Sequence, residues 1–567
     1  MAGTVNEAEK ADTNAAASTD PSAIEDNDIA ANNATVEASP PEAGEAPTKK
    51  SLGFYLTFIG IQIIEFVYSL DATTLAVALP RIAQDLNGTT LESLWASIVY
   101  LLAVAVTQPL YSTVSDAFGR KYPLFVAFIL FFLGSIIFAT AQSMVAVIMG
   151  RVLQGLGGGG INVIGEIIVT DMTTLRERPL YLGLMAIPTA AGSVLGPTFG
   201  GLFSTYATWR WIGWVNIPLL GVSLPLIFVF LRLRTLNTTL SEKVSGLDWI
   251  GMALFAAGCT LFNLPLSWAD ALYSWTSWRT LFPFLLGAAL LATFAFYEGR
   301  PLAGAAPAMP HHIFRSRTAS LTLFGGFIHG ILLFPLLLYL PLFYQAIELE
   351  SQIGSAVTLL PASVTSVLSA IASAIIVGIV GKGYRWGLWI SWVLVVAGSG
   401  LLIMLDQSSN SHMRRGLPVI WAAGVGSLLR LTQLPIQASL KNVDDTGIAV
   451  SLLLSFRVLG GIVGLAIGSA IFNSIFAQHV PAIRSIPGSD ALGLPQTAGE
   501  AIGFIPALRT IQLSGEDLRT VQEAYLAAMR TIFYAMTGFA GSGLLSSLFI
   551  QELDFQKDDR GRQQFES

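Results

Sequence analysis

Long apolar runs separated by short polar stretches recur along this chain from residue 53 to residue 550. A helix needs about 20 predominantly apolar residues to cross the hydrocarbon core of a bilayer. On that criterion, spans are expected at 53–80, 93–113, 122–140, 143–170, 179–204, 210–231, 247–268, 279–297, 318–344, 353–378, 385–405, 416–436, 448–477 and 525–550. The pattern reads as an all-α polytopic membrane protein. Fourteen spans is an even number, so both termini fall on one side.

Composition sharpens this. Hydrophobic residues make up 53% of the chain and charged residues only 12%, about half the charged share of a soluble domain. A large soluble enzyme would need charged helix faces recurring every few residues, and they do not occur. The net charge of −6 belongs to one end. Residues 1–48 hold ten acids and one base, Lys10. That stretch is rich in Ala, Asn, Thr, Ser and Pro, with too few large apolar residues to offset its ordering entropy. It reads as a disordered tail, without the basic start and apolar stretch of a signal peptide. The single cysteine, Cys259, sits in an apolar run and permits no internal disulfide or cysteine-based metal site. It reads as a packing residue.

Loop charges give the orientation. With the tail inside, eighteen Lys or Arg fall in inner loops, among them Lys49, Lys50, Arg120 and Lys121, against eight outside. The positive-inside bias therefore places both termini in the cytoplasm, with Arg414–Arg415 as the one local violation. The segment 478–524 becomes an extracellular loop. Of three sequons, Asn87 falls outside but close to the membrane, whereas Asn33 and Asn237 fall inside and read as chance.

Several clusters carry candidate chemistry. The loop after the second span, Ser112 to Lys121, combines Asp116, a turn-permitting Gly119, Arg120 and Lys121. Such a cluster can latch two helices and release them; an ordinary basic loop would carry the same residues. In the fourth span, Arg151, Gly155, Asn162 and Glu166 share one helix face. An intramembrane arginine costs at least about 2.5–3.5 kcal/mol, so it faces protein or a water-filled cavity. Fifteen residues separate Arg151 from Glu166, roughly 22 Å along a helix, so each needs its own partner. The fifth span carries Gly192, Gly196, Pro197, Gly200 and Gly201; Gly192, Gly196 and Gly200 repeat every four residues along one stripe, with Pro197 beside the middle one, a close helix contact with a bend built in.

Together these stretches resemble the major facilitator superfamily, in particular the fourteen-span drug:proton antiporter group common in fungi. Ser112 to Lys121 resembles its loop signature, with Ser112 and Ala117 departing from the usual Gly and Arg. Arg151 with Gln154-Gly155 resembles the motif whose arginine is implicated in proton transfer, and Gly192 to Gly201 resembles the antiporter motif of exporters. Leu70 to Thr74 with Ala78-Leu79-Pro80 resembles the first-span signature of the fourteen-span group. The resemblance implies the major-facilitator fold: a six-helix bundle over 51–235, an inserted helix pair over 236–300 and a second six-helix bundle over 301–567, following the tail of 1–50. Gly460, Gly464 and Gly468 beside Arg457 echo the fifth-span stripe.

Glu65 shares a stripe of the first span with Gln62 and Ser69, near mid-bilayer, and is the leading candidate proton carrier; a carboxyl permanently hydrogen-bonded between helices is the alternative. Asp71, Arg151 and Glu166 join it as proton-coupling candidates. Asp171 pairs with Arg120 and Asp116 in the expected inner latch. Gln62, Gln108, Asn162, His329, Gln433, Gln437 and Arg457 are candidate cavity residues, with Asn263, Phe327, Tyr339 and Phe456 as further pocket candidates. The expected function is proton-coupled efflux of small organic compounds by alternating access, from a monomer in the cell or vacuolar membrane. Uptake of an organic solute or iron chelate, or nutrient sensing without transport, are the competing readings. No phosphate loop for a primary pump occurs. Neither enzymatic activity, nor a cofactor, metal or nucleic-acid partner is expected.

Overall fold

The computed structural model describes residues 50–554, apart from 87–89, 175–176, 234–243, 270–272, 300–308, 310 and 441–444. The acidic tail of 1–49 and the sequons at Asn33, Asn87 and Asn237 lie outside the described residues. Among those described, every expected span is helical: α1 (Leu52–Asp85), α2 (Thr90–Phe118), α3 (Lys121–Ala139), α4 (Met144–Met172), α5 (Arg178–Tyr206), α6 (Trp211–Phe230, with a break at Val215), α7 (Trp249–Trp268), α8 (Trp278–Glu298), α9 (Arg317–Ile347), α10 (Gln352–Val380), α11 (Tyr384–Leu402), α12 (Ser411–Ala438), α13 (Thr446–Arg484) and α14 (Gly515–Ser547). Thirteen of them are long and apolar enough to cross a membrane. The exception, α14, has the length, but its first half carries Glu516, Asp517, Arg519, Glu523 and Arg530 and its second half is diluted by Thr531, Thr537, Gly538, Gly541, Ser542, Gly543, Ser546 and Ser547. The two ends of this helix array lie on one side, here called the terminal face; the opposite side is the distal face.

Serine and asparagine side chains close several helix starts. Ser51, Ser143, Ser316, Ser351, Asn410 and Ser514 each accept a first-turn N–H, satisfying donors that would otherwise be orphaned. The turn between α2 and α3 bends at Gly119 (φ 85°), and the corresponding turn between α10 and α11 bends at Gly381 (φ 69°) and Gly383 (φ 91°). A side chain at such φ values is strained, and glycine is not.

Two sets of six helices repeat one packing plan. In the first, α5 lies along α1 and α4 is wedged between α2 and α3; in the second, α13 lies along α9, and α12 packs between α10 and α11. Small residues allow both long contacts. A Cβ at Gly192 would meet Leu70 N at 2.7 Å and Phe66 O at 2.8 Å, and one at Gly464 would meet Ile331 O at 2.6 Å. Gly196 and Gly200 press equally closely on Thr73 and Thr74, as Gly460 does on Phe327. The stripe in α13 is therefore a structural counterpart of that in α5. Glycines on two faces of α4 serve its own enclosure: Gly155 faces Tyr100 of α2, and Gly157 faces Ala127 and Phe131 of α3. As a result 83% of the apolar window of α4 is buried, against 17% for α8.

The inserted pair, α7 and α8, pack on each other, with Gly287 against the backbone of Phe262 and the rings of Phe262 and Phe284 stacked 4.8 Å apart. Helix α7 also touches both α2 and α13, which places it across one seam between the two six-helix sets.

The stretch expected as a loop over 478–524 is shorter and more ordered. Helix α13 continues to Arg484 and α14 starts at Gly515, because Val480, Ile483, Val521 and Ala524 bury against the second bundle beyond the apolar windows. Between them a short helix, Ala498–Phe504, and a 3₁₀ turn, Ile505–Arg509, bury Leu494, Ala501, Ile505 and Leu508 in the same core. The Tyr525 hydroxyl donates to Ala501 O at 2.6 Å.

Arg414, one of the two arginines that break the loop-charge pattern, is paired with Glu348 just past the end of α9, at 2.5 Å. Burial raises the Glu348 carboxyl to about 7 against the opposing pull of Arg414, and Glu350 and Asp406 add to the rise. A carboxyl raised in the folded state contributes stability that is present below its unfolded value and is lost as pH climbs through the folded one. Melting temperature should therefore fall between about pH 4.5 and pH 7. The Glu348→Gln variant should flatten that slope; an unchanged slope in a thermal-melt series would refute the assignment.

Candidate functional site

Ionisable side chains cluster at three depths. On the terminal face, Arg120 at the start of α3 donates from Nε to Asp171 Oδ2 at 2.9 Å, and from Nη1 to Ser115 Oγ at 2.8 Å and to Asp116 Oδ1. The first turn of α13 covers this group: a Cβ at Gly447 would lie 3.2 Å from Arg120 Nη2. The cluster thus ties α2, α3 and α4 of one bundle beneath a helix of the other. Lys121 stays outside it. Its ammonium donates to Phe228 O at 2.8 Å and lies over the Phe228 ring, because its side chain projects from α3 toward α6.

Toward the distal face, Arg151 and Asp71 form a fully buried pair, Nη1 to Oδ2 at 2.6 Å. Arg151 also donates to Gln154 Oε1 (3.0 Å), Asp71 O (3.3 Å) and Ala96 O (3.3 Å), and its guanidinium lies 4.2 Å from the Tyr100 ring. Asp71 Oδ1 accepts from Gln154 (3.2 Å) and Asn216 (3.0 Å), both of which also reach Ser135. Every one of these partners belongs to the first bundle. The pair joins α1, α2, α3, α4 and α6 inside that bundle.

The middle layer spans both bundles. Glu65 on α1 is 1% exposed. Its Oε1 accepts from Asn162 Nδ2 at 2.9 Å and lies 3.2 Å from the Thr189 hydroxyl; its Oε2 accepts from the same amide at 3.2 Å. Asn162 is in turn held by Gln108 Nε2 at 2.9 Å. Thr189 also lies 3.4 Å from Arg430 Nη2, and Arg430 Nη1 pairs with Glu166 Oε1 at 2.8 Å. Gln433 Nε2 donates to Glu166 Oε2 at 2.6 Å. A hydroxyl and a guanidinium therefore connect the two buried carboxyls, and the Glu166–Arg430 pair crosses from α4 to α12. Arg178 to Gln437 (3.2 Å) and Ser455 to Gln108 (3.4 Å) are further crossings. With Gly183 close to Ala374 and Gly447 over Arg120, these contacts lie in the terminal half of the helices, so the two bundles are held shut there.

Other candidates take local roles. Gln62 Nε2 donates to Leu184 O at 3.0 Å, and Ser69 bonds Thr189 O and Ser193, so the polar stripe of α1 fastens α5 alongside the glycines. His329 Nε2 meets Val425 O at 3.1 Å, linking α9 to α12. Arg457 donates to Leu429 O (3.2 Å) and Thr432 Oγ1 (3.1 Å). Tyr339 stacks on Phe472 inside the second bundle, and Asn263 bonds Cys259 O of its own helix. Neither of the last two joins the middle layer, because each finds its partner locally. Arg430, Thr189, Asn216 and Tyr100 are additions the sequence reading did not name. Arg430 lies within an apolar run and carries the same signal that marked Arg151; the others show no signal in isolation.

The sequence and the helix arrangement match known proteins. A family model described as Major Facilitator Superfamily matches residues 62–465. The chain belongs to the major facilitator superfamily. It is therefore a transporter-family membrane protein and not an enzyme. A superfamily relative, the MFS-type transporter sphD of Aspergillus fumigatus, is 52% identical over 524 residues, covering 92% of this chain and 90% of that protein. The efflux pump FUS6 of Gibberella fujikuroi is 33% identical, covering 90% and 91%. Among solved structures, the proton:xylose symporter XylE superposes with a TM-score of 0.55 at 12% identity, over 89% of this chain and 97% of that one. That likeness is one of fold: two six-helix bundles, here with the inserted pair α7 and α8.

Proposed function

We propose that this superfamily member exports small organic molecules in exchange for protons, with both termini in the cytoplasm of a cell-membrane transporter. The observation that carries the reading is Glu65: a fully enclosed carboxyl, bonded by neutral donors and linked through Thr189 to an ion pair that bridges the bundles. A carboxyl without a bound cation can change protonation without dismantling a salt bridge. Its charge acts on the neighbouring Arg430 and therefore on the Glu166–Arg430 crossing. The terminal-face cluster of Asp116, Arg120 and Asp171 serves as the inner latch, gripped by α13 while the cytoplasmic side is closed. The close α1–α5 contact at Gly192, Gly196 and Gly200 holds Glu65 beside Thr189. Asp71 and Arg151 act in support, fixing the half of α1 beyond Glu65. The outward direction draws on the relative named as an efflux pump and on the fifth-span stripe.

The experiment is energised export. Cells making the protein should retain less of a fluorescent amphiphile than cells lacking it, and a protonophore should abolish the difference. Export that survives collapse of the proton gradient would overturn the proposal.

A further inference from the structure

Several charged side chains among the described residues lie buried where the bundles meet: Glu65, Glu166, Arg178, Arg430 and Arg457, of which Arg178 crosses to Gln437. Glu166 and Arg430 form an ion pair. Glu65 is bonded by Asn162 and Thr189, both neutral. Arg457, 5% exposed, reaches only Leu429 O and Thr432 Oγ1, and its Nε has no hydrogen-bond partner among the described residues. Arg430 Nε and Gln433 Oε1 are likewise buried and unpartnered. Isolated charge is costly to bury, and proteins pair it or give it a ligand. Here a carboxyl on the first bundle and a guanidinium on the second each lack an opposite charge at bonding distance among the described residues. The other charged or titratable groups around them are Tyr68 on α1, Glu166 on α4, His329 on α9 and Arg430 on α12.

We propose that the exported molecule carries an ammonium and a carboxylate on one headgroup, the ammonium binding Glu65 and the carboxylate binding Arg457. The inference rests on the reading of the chain as a proton-coupled exporter and supplies its coupling rule. A proton and an ammonium cannot both occupy Glu65. A purely anionic substrate would be drawn to the site when Glu65 is protonated and would move with the proton. A purely cationic one would leave Arg457 unmatched. Only a zwitterion satisfies Arg457 while competing with the proton, which is what exchange requires. Each cycle then moves one neutral zwitterion outward for one proton inward.

Equilibrium dialysis of the purified full chain in lipid nanodiscs, without any proton gradient, tests this. The probes are Nε-dansyl-lysine, its carboxamide, its Nα-acetyl form and the doubly blocked compound. The zwitterion should bind at least about tenfold more tightly than either singly charged probe. Arg457→Gln should reduce zwitterion affinity to that of the carboxamide, and Arg457→Lys should restore part of it. Lowering the pH from 7.5 to 5.5 should weaken zwitterion binding to the natural chain but not to Glu65→Gln. Equal binding of the four probes by the natural chain, or no binding of the zwitterion, overturns the proposal whatever the variants do. Because dialysis needs no gradient, its failure leaves the protonophore result standing, and the reverse holds.

Discussion

Glu65→Gln is expected to leave a folded protein that no longer concentrates substrate against a gradient. The substituted amide keeps a carbonyl oxygen for Asn162 Nδ2 and has nearly the volume of the acid it replaces. It removes a charge that no cation among the described residues neutralises at bonding distance, so thermal stability should hold or rise, consistent with the cost of an unpaired buried charge. What it cannot do is exchange a proton. One pH unit corresponds to about 1.36 kcal/mol, so one-proton exchange supports roughly tenfold accumulation per unit of gradient. In reconstituted vesicles the natural chain should approach that ratio under an imposed one-unit gradient, while the variant should stay near equal concentrations inside and out. Exchange of labelled for unlabelled substrate, which needs no net proton movement, should persist at substrate concentrations high enough to offset the lost Glu65 contact. Gradient-driven accumulation by Glu65→Gln would sink the assignment of this residue.

The second large effect is on folding. Arg151→Ala should destabilise the first bundle by about 3–5 kcal/mol, the usual result of removing one partner of a buried pair. Arg151 is 1% exposed, and its loss deprives Asp71 of its only ion-pair partner among the described residues while vacating the space beneath Tyr100. Asp71 would keep Gln154 and Asn216 as donors, which limits the damage. The double variant Arg151→Met with Asp71→Asn removes both charges and fills most of the volume. It should recover much of the loss, since replacing a buried pair by neutral groups is often close to neutral. Melting curves in detergent decide it: additive losses in the double variant would mean that the pair is not the stabilising unit.

These two results separate residues that the sequence could not rank. Glu65, Asp71, Arg151 and Glu166 are all intramembrane charges, and span length and burial cost marked each of them from the chain alone. The helix count, the fifth-span stripe and its counterpart in α13 were equally legible, because apolar run length and glycine spacing are local quantities. Partnership is not local. Glu166 finds Arg430 across 264 positions and Asp71 finds Arg151 across 80, and no periodicity on either helix encodes which helix will lie opposite. Arg430 could have been found, since it sits inside an apolar run as Arg151 does. Thr189 could not: a threonine facing its own helix carbonyl is ordinary, and only the approach of α1 and α12 makes it a connector. The ends of α13 and α14 ran past their apolar windows for a related reason, because burial against protein extends helices beyond the length that a bilayer requires.

The position of α7 also makes the two flanks of the molecule unlike each other. Helix α7 lies against both α2 and α13, screening that seam from the acyl chains. The opposite seam, between α5 and α10, has no inserted helix laid across it among the described residues, and α10 turns Val357, Val364, Leu368 and Ile376 outward. One flank of the molecule therefore carries an extra helix across its seam, whereas on the other α5 and α10 close the seam by their own direct packing, with Gly183 against Ala374.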